Sequence, residues 1–485
     1  MDIEKKIISN FYIFPLYYYR FISTIFVLGR NGFFSLILKL NLLPPKTKIF
    51  FKVLIYVLEK KKSHDFEKLL PKTLANLGPG FIKLGQALST RPDIFGLKNT
   101  NKLAYLQDRL DPFSTNQAIK IIEEKIGLKL NEIFLNFIKD PIASASVAQV
   151  YKATLLSGEK VAVKILRPNI EKILLADFKF FFWISTQIEF FKPSLKRFKL
   201  SEMVKVFFQS SINEVDLRLE AASANELKDN FNNFKNFKVP KIYWEYTSKD
   251  IMILEYVDGI RIDKIKNNKN INFDLEKLTE LASEIFFLQV FRDGFFHADL
   301  HPGNIFVDKN GKIIPLDFGI MGRLNNKDRK FLAELLINLL EKKFSAVTKL
   351  HYDYGMLSEN VNHELLTQEI RAISVPLLDK PIGQISLANL MGEILSLSRK
   401  FDIEIQPKFS LLQKTMVMAE GVARQVNPNA NMWILTKPLV KKWIKDSHDP
   451  FNLIEEWIEN NKKIIEKLPE FFHKLNKLIE KILKK

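Results

Sequence analysis

The sequence predicts a mixed α+β fold in which helices lead into a small β-rich lobe and then a larger helical lobe. Three observations predict it. Helical periodicity dominates residues 1–75 and 320–485, β-branched runs separated by turn residues fall between about 139 and 258, and an Asn-Gly turn separates two short apolar runs near residue 310. The expected segments are a basic amphipathic stretch (1–62), a helical extension (63–138), a β-rich lobe with a helical insertion (139–258), a helical lobe (259–440) and basic amphipathic helices (441–485).

The chain has 485 residues, is 47% hydrophobic and 26% charged, and carries a formal charge of +18. That charge suits a nucleic-acid binder, but its composition does not. Lysines outnumber arginines 59 to 14, whereas base recognition favours the bidentate guanidinium. No basic-aromatic recognition box accompanies the lysines, and the Phe, Ile and Asn excess resembles the codon bias of an AT-rich genome. Nucleic acid is therefore not expected as a partner. The absence of cysteine excludes disulfides and thiolate metal sites.

Residues 1–62 hold eleven basic and three acidic residues, a net of +8, between the apolar runs IISNFYIFPLYYY, FISTIFVLG and NGFFSLIL. None reaches the ~20 residues that span a hydrocarbon core. The mixed charge of MDIEKKIISN, with no small-residue cleavage site after it, does not read as a cleavable signal peptide. Two readings stay open and are compatible: helices lying in the headgroup region, or helices buried against the main domain. The last fifteen residues, FFHKLNKLIEKILKK, read as a basic amphipathic helix that either caps the fold or meets a membrane.

VAQVYKATL, SGEK and VAVKILRP read as two strands around a Ser-Gly turn, and KIYWEY, TSKD and IMILEYV as a second hairpin. A helical segment of roughly 169–230 separates the two. Further on, IFV, DKNG and KIIPL form a third hairpin, with Asn-Gly supplying a tight turn. It is flanked by HADLHPGN (297–304) and DFG (317–319), so both polar clusters emerge at one end.

Asp299 lies five residues before Asn304, and Asn304 thirteen before Asp317. These spacings match the protein-kinase signature. Phosphoryl transfer needs Mg²⁺ on hard oxygen ligands, here Asn304 and Asp317, and a carboxylate near the attacking oxygen, here Asp299. Lys164, inside the apolar strand VAVK, occupies the place of the lysine that meets the α- and β-phosphates of ATP. Its partner is expected from NEVDLRLEAASANEL, with Glu220 first and Glu214 and Asp216 one or two turns earlier. MILEYVDG, with Glu255 and Val257, reads as the hinge whose backbone faces adenine. The phosphate loop before Lys164 contains no glycine. Its residues Ile142, Ala143, Ser144, Ala145, Ser146, Val147, Ala148, Gln149 and Val150 are the expected ATP-binding stretch, and alanine there keeps the backbone further from phosphate than glycine would.

ASAS before VAVK, KLGQ at 83–86 followed by STRPDIF, and HADLHPGN with DFG together resemble the UbiB family of atypical protein-kinase-like proteins, over residues 75–440 or so. The resemblance implies a protein-kinase-like two-lobed α+β fold with a helical N-terminal extension and additional C-terminal helices. It implies ATP and Mg²⁺ as cofactors and a role in ubiquinone biosynthesis. The implied partners are a membrane surface, prenylated phenol or quinone lipids, and other ubiquinone-biosynthesis proteins. It further implies that Lys83, Gly85 and Gln86 belong to an extension folded over the active site, anchored by the acidic pair Glu214 and Asp216. Many bacterial members end in hydrophobic spanning helices where this chain ends in a Lys-rich tail. Peripheral attachment at the cytoplasmic face of a bacterial inner membrane is therefore the expectation. Two other readings are a small-molecule kinase of the aminoglycoside type, opposed by the alanine-rich loop and KLGQ, and a catalytically silent lipid-binding scaffold, opposed by the retained Lys164, Asp299, Asn304 and Asp317.

Overall fold

The computed structural model describes residues 14–31, 76–89, 111–191, 200–267, 273–357, 361–378, 386–401 and 406–428, with a few isolated positions besides. Most of the runs NGFFSLIL and STRPDIF, and the C-terminal helix expected at 471–485, lie outside the described residues. Packing groups the chain into two units. One contains residues 1–273, 297–322 and 391–422, and the other contains 274–296, 323–390 and 423–485. This grouping cuts across the contiguous segments expected from the sequence, because the HADLHPGN–DFG segment joins the β-rich lobe.

The first unit is built on an antiparallel sheet of β1 (Phe134–Phe137), β2 (Ala143–Ser144), β3 (Ala148–Leu155), β4 (Lys160–Leu166) and β5 (Ile251–Glu255), in the order β1-β3-β4-β5 with β2 also on β3. The Ser-Gly turn joins β3 to β4 as expected. Gly158 takes φ +87° and its amide donates to the Leu155 carbonyl at 2.9 Å, a conformation that a Cβ would strain. Alternation along β3 and β4 sends Tyr151, Ala153, Val161, Val163 and Ile165 into a core with Ala118 and Ile122 of helix Thr115–Ile126. Each of the larger aliphatic side chains here (Ile122, Val161, Val163 and Ile165) contributes roughly 1.5–3 kcal/mol by leaving water. The same alternation turns Lys164 to the opposite face.

The second hairpin differs from expectation. Only IMILE is a strand; KIYWEY makes an isolated bridge, Ile242 to Leu254, and then a 3₁₀ turn at Trp244–Tyr246. Its backbone still docks on β5, with the Tyr243 amide on the Ile253 carbonyl (2.9 Å) and the Glu255 amide on the Lys241 carbonyl (2.8 Å). The expected helical insertion is three helices, Ile170–Phe191, Leu200–Asn213 and Leu217–Asn230.

Helices Phe14–Arg30 and Pro79–Ser89 pack on Ile170–Phe191. Phe81 meets Phe181 edge-on at 4.8 Å between centroids, and Tyr18 and Phe21 meet Trp183 at 5.7 and 6.1 Å. Arg20 crosses this junction, donating to Asp177 Oδ1 at 2.7 Å and to the Leu77 carbonyl at 2.9 Å. The helix Phe14–Arg30 still exposes Tyr19 (72%), Ile22 (63%) and Phe26 (46%), so one face is packed and the other is open. Among the described residues no helix is long and apolar enough to cross a membrane.

The second unit is helical. Leu275–Phe287, N-capped by Asp274, runs into a π-helical turn ending at Gly294. Asn325 and Asp328 form a capping box that starts helix Asn326–Leu340. Helix Phe344–Asp353 packs between Asn326–Leu340 and His363–Leu378, with Phe331, Leu339, Val347, Leu366 and Ile370 all buried.

Candidate active site

A small sheet positions the HADLHPGN and DFG clusters. Strands Ile305–Val307 and Ile313–Pro315 pair antiparallel, with Ile305 opposite Pro315. The DKNG connection closes as a turn: the Gly311 amide donates to the Asp308 carbonyl at 3.0 Å and Gly311 takes positive φ (+80°), while the Asp308 side chain accepts from the amides of Asn310 (2.8 Å) and Lys312 (2.9 Å). At the other end the Leu316 amide donates to the Asn304 carbonyl at 2.7 Å, which brings Asn304 beside Asp317.

His297 braces this junction. Its Nδ1 accepts from the Asp299 amide at 3.2 Å, so Nε2 carries the proton and donates to the Leu316 carbonyl at 3.2 Å. His297 thereby ties the loop carrying Asp299 to the strand leading into Asp317. Asn304 Nδ2 donates to Asp299 Oδ2 at 3.0 Å and to the Asp299 carbonyl at 3.3 Å. This fixes which way the amide points and leaves Asn304 Oδ1 available as a ligand.

Lys164 reaches across from β4. Its Nζ lies 2.6 and 2.8 Å from the two carboxylate oxygens of Glu220, on helix Leu217–Asn230, and 3.3 Å from Asp317 Oδ1. The Lys164 and Glu220 side chains are 13% and 6% exposed, so the pair is nearly dry. Burial pulls the Lys164 ammonium down, but Asp317 and Glu220 outweigh it and the net shift is upward. Burial pushes Glu220 up against the pull of Lys164. Asp317 is held down to about 2, chiefly by Lys164 against the cost of burial, with Lys83 adding to the effect. Asp317 also takes φ +63°, a left-handed conformation that costs a non-glycine residue about 1 kcal/mol or more.

The extension reaches the same place. Lys83, on Pro79–Ser89, forms a buried ion pair with Glu214. Gln86 lies on the same helix, three residues later. Asp216 is not brought to Lys83. It N-caps helix Leu217–Asn230 and pairs with Arg218 at 2.6 Å.

The expected ATP-binding stretch divides. Val150 lies opposite Lys164 in the β3–β4 register, and Ala143 and Ser144 pair back onto Val150 and Gln149. Ile142 and Ala143 are exposed, Ser144 and Ala145 are half-buried, and Ser146, Val147 and Ala148 are buried. The Gln149 side chain turns into the core, accepting from the Phe113 amide at 2.9 Å. In the hinge segment, the Glu255 side chain pairs with Lys238 and its amide is already bound to the Lys241 carbonyl, while Val257 follows two residues on.

Sequence motifs do not reveal Lys414. It lies on helix Pro407–Val426, whose Thr415 hydroxyl donates to the Ala298 carbonyl at 3.3 Å, next to Asp299. Burial pulls the Lys414 ammonium down; Asp299 and Glu214 oppose that and Lys83 adds to it. The helix therefore brings a cation to the Asp299 carboxylate.

The oxygens of Asn304 and Asp317 suit a hard divalent cation. Among the described residues no cluster of three or more acidic or imidazole ligands occurs. Two protein oxygens fit magnesium, which keeps several waters and takes its remaining ligands from substrate phosphates.

The ABC1 atypical kinase-like domain model matches residues 105–351 and the UbiB helical domain model matches 370–431. The chain belongs to the UbiB family. The probable protein kinase UbiB of Pseudomonas paraeruginosa is 37% identical over 79% of this chain and 72% of its own. The Marinobacter nauticus protein of the same description is 37% identical over 86% and 77%. Of solved structures, a Mycobacterium tuberculosis protein in complex with erythromycin superposes with a TM-score of 0.50 at 22% identity, over 81% of this chain and 97% of that one, a likeness of fold. The site built on Lys164, Glu220, Asp299, Asn304 and Asp317 thus lies within the ABC1 kinase-like domain of a UbiB-family chain, and Lys414 lies within its UbiB helical domain.

Proposed function

We propose that this UbiB-family protein is a Mg-ATP-dependent atypical kinase or ATPase that supports ubiquinone biosynthesis while attached peripherally to the cytoplasmic face of a bacterial membrane. The observation that carries the nucleotide reading is the convergence of Lys164, Glu220 and Asp317, in which a buried ammonium bridges two carboxylates on different elements. Such a cation is costly to bury without a polyanionic ligand or its paired acids. ATP bound with Mg²⁺ supplies the transferable phosphoryl group. Asn304 Oδ1 and Asp317 would hold the metal, and Lys164 would orient the α- and β-phosphates while Glu220 keeps it in place. Asp299, fixed by Asn304, would accept the proton of the attacking hydroxyl or water. The family names of the relatives support the ubiquinone role, and prenylated phenols or quinones are the lipids for which that role calls.

ATP turnover by the purified protein, with and without liposomes containing a polyprenyl phenol, tests this reading. Asp317→Asn is expected to abolish Mg²⁺-dependent nucleotide binding, because it removes the anionic metal ligand. Asp299→Asn should keep binding and lower turnover by roughly 10²-fold or more, since the base acts only in the transition state. Wild-type magnesium affinity in Asp317→Asn would refute the assignment, and equal loss of binding in both variants would make Asp299 structural.

A further inference from the structure

Arg167 directly follows β4, and no motif marks it. Its side chain reaches back across the sheet to the alanine-rich loop, where Nε donates to the Ala145 carbonyl at 2.9 Å and Nη2 donates to Ser144 Oγ at 2.8 Å. Its own amide donates to the Val147 carbonyl at 2.8 Å. One residue therefore binds the loop at three of its residues, Ser144, Ala145 and Val147. Pro168 restricts Arg167 to extended backbone, and the Phe113 ring lies 5.8 Å from the guanidinium centre. Both features hold the fork in place.

Two details show what the fork maintains. The Ala145 amide donates to the Ala148 carbonyl at 2.8 Å, so a donor that a phosphate loop would aim at its ligand is consumed within the loop. The Ser146 hydroxyl is fully buried and, among the described residues, has no hydrogen-bond partner. A buried orphan hydroxyl is unfavourable, so this shape needs something to hold it, and an opened loop would give the hydroxyl a partner. Val150, just beyond the turn, faces Lys164 across the ladder, so the loop's shape bears on the place where Lys164 would meet phosphates.

We propose that Arg167 is a positioning residue that keeps the alanine-rich loop closed and thereby sets the preference between nucleoside di- and triphosphates. The proposal rests on the nucleotide-binding reading above. With the fork intact, the Ala145 amide and Ser146 hydroxyl stay turned away from the β- and γ-phosphate positions. Releasing the fork frees both donors, and the gain is larger for the ligand with the additional phosphate.

The test measures dissociation constants of the full-length protein for Mg-ADP and for a non-hydrolysable Mg-ATP analogue, in wild type, Arg167→Lys and Ser144→Ala. Lysine keeps the charge but cannot fork, and Ser144→Ala removes one prong from a half-exposed site. Both variants are expected to raise the ADP-to-ATP-analogue ratio of dissociation constants, by at least threefold in Arg167→Lys and by less in Ser144→Ala. Faster hydrogen exchange of the Ala145 amide is expected in both. Should Arg167→Lys melt far below wild type, the Ser144→Ala ratio decides. An unchanged ratio, or a loss of both affinities in equal proportion, overturns the proposal while leaving the nucleotide reading intact. Absence of Mg²⁺-dependent nucleotide binding by the wild type overturns both.

Discussion

Glu220 grips Lys164 with both carboxylate oxygens, at 2.6 and 2.8 Å, although 56 residues separate them in the chain. The contact joins the sheet to helix Leu217–Asn230 and is nearly closed to water. Its worth to the fold and its worth to ligand binding are separate quantities.

Removing one partner of a buried pair leaves the other charge uncompensated. Glu220→Gln is therefore expected to cost about 3 kcal/mol, softened by the remaining contact of Lys164 with Asp317. The double variant Lys164→Met with Glu220→Met should recover most of that stability, because apolar replacement of a buried pair is often neutral. It should bind no nucleotide. Urea unfolding and nucleotide titration on the same preparations check both halves. A double variant as unstable as Glu220→Gln alone would show that the pair is a structural requirement.

Asp317 gives the site a distinct acid response. Its pKa is depressed from the ordinary 3.8 to about 2, chiefly by Lys164. A depressed carboxyl contributes stability that is present above the ordinary value and is lost as pH falls through about 2. Lys164→Met removes the largest cause, so Asp317 should titrate closer to its ordinary value and this contribution to stability should shrink. The Asp317 side chain is half exposed, so solvent screens part of the effect. Carboxyl NMR titration of wild type and Lys164→Met reads the shift directly. Identical titration curves would show that Lys164 does not govern Asp317.

Some of this was open to reading from the chain and some was not. Asn304 and Asp317 come together because a hairpin returns to its start, and HADLHPGN and DFG flank one with the right spacing. Lys164 is visible because an alternating strand puts a lysine among valines. KIYWEY misleads because its aromatic and β-branched residues favour a strand. Its two backbone bonds to β5 are instead followed by a 3₁₀ turn at Trp244, a tertiary choice that local propensity does not encode. Arg167 and Lys414 carry no local signal, since each acquires its role only when folding brings it to a distant loop. Asp216 is close in sequence to Glu214, yet as a helix N-cap its carboxylate is already committed to Arg218.

Gly80 illustrates a constraint on the extension. A Cβ added there would stand 2.5 to 2.9 Å from the Asp177 side chain, including its Cβ, which cannot swing aside. Asp177 is buried and holds Arg20 at 2.7 Å. Gly80→Ala is expected to displace Asp177 and cost about 2 kcal/mol, within the usual range for overpacking. Arg20→Met should cost a comparable amount. Thermal melts of each variant and of the pair check this. A strongly non-additive pair is expected, because both act through Asp177.

The open face of helix Phe14–Arg30 gives the membrane reading a specific test. Tyr19, Ile22 and Phe26 are exposed on a helix whose other side packs on Ile170–Phe191. Within residues 1–62 the charge is +8, so binding to anionic vesicles should weaken as salt rises. Replacing all three residues with serine should weaken binding at least about tenfold, or ~1.4 kcal/mol, without changing the melting temperature. Co-sedimentation unchanged by the triple replacement would rule out this face as the contact.

Ala145→Gly probes the loop from its own backbone. Ala145 has its amide tied to the Ala148 carbonyl and its carbonyl tied to Arg167, so it is the residue through which the turn is held closed. Its methyl restricts the backbone from approaching the β- and γ-phosphates. Glycine removes that restriction and widens the conformations open to the unfolded chain, at a cost of about 1 kcal/mol or less. The ratio of ATP to ADP affinity is expected to change while the melting temperature falls only slightly. Calorimetric titration with each Mg-nucleotide, alongside a thermal melt, separates the two effects. Unaltered affinities for both nucleotides would mean that residues 141–150 do not cover phosphates. The nucleotide reading would then rest on Lys164, Asp299, Asn304 and Asp317 alone.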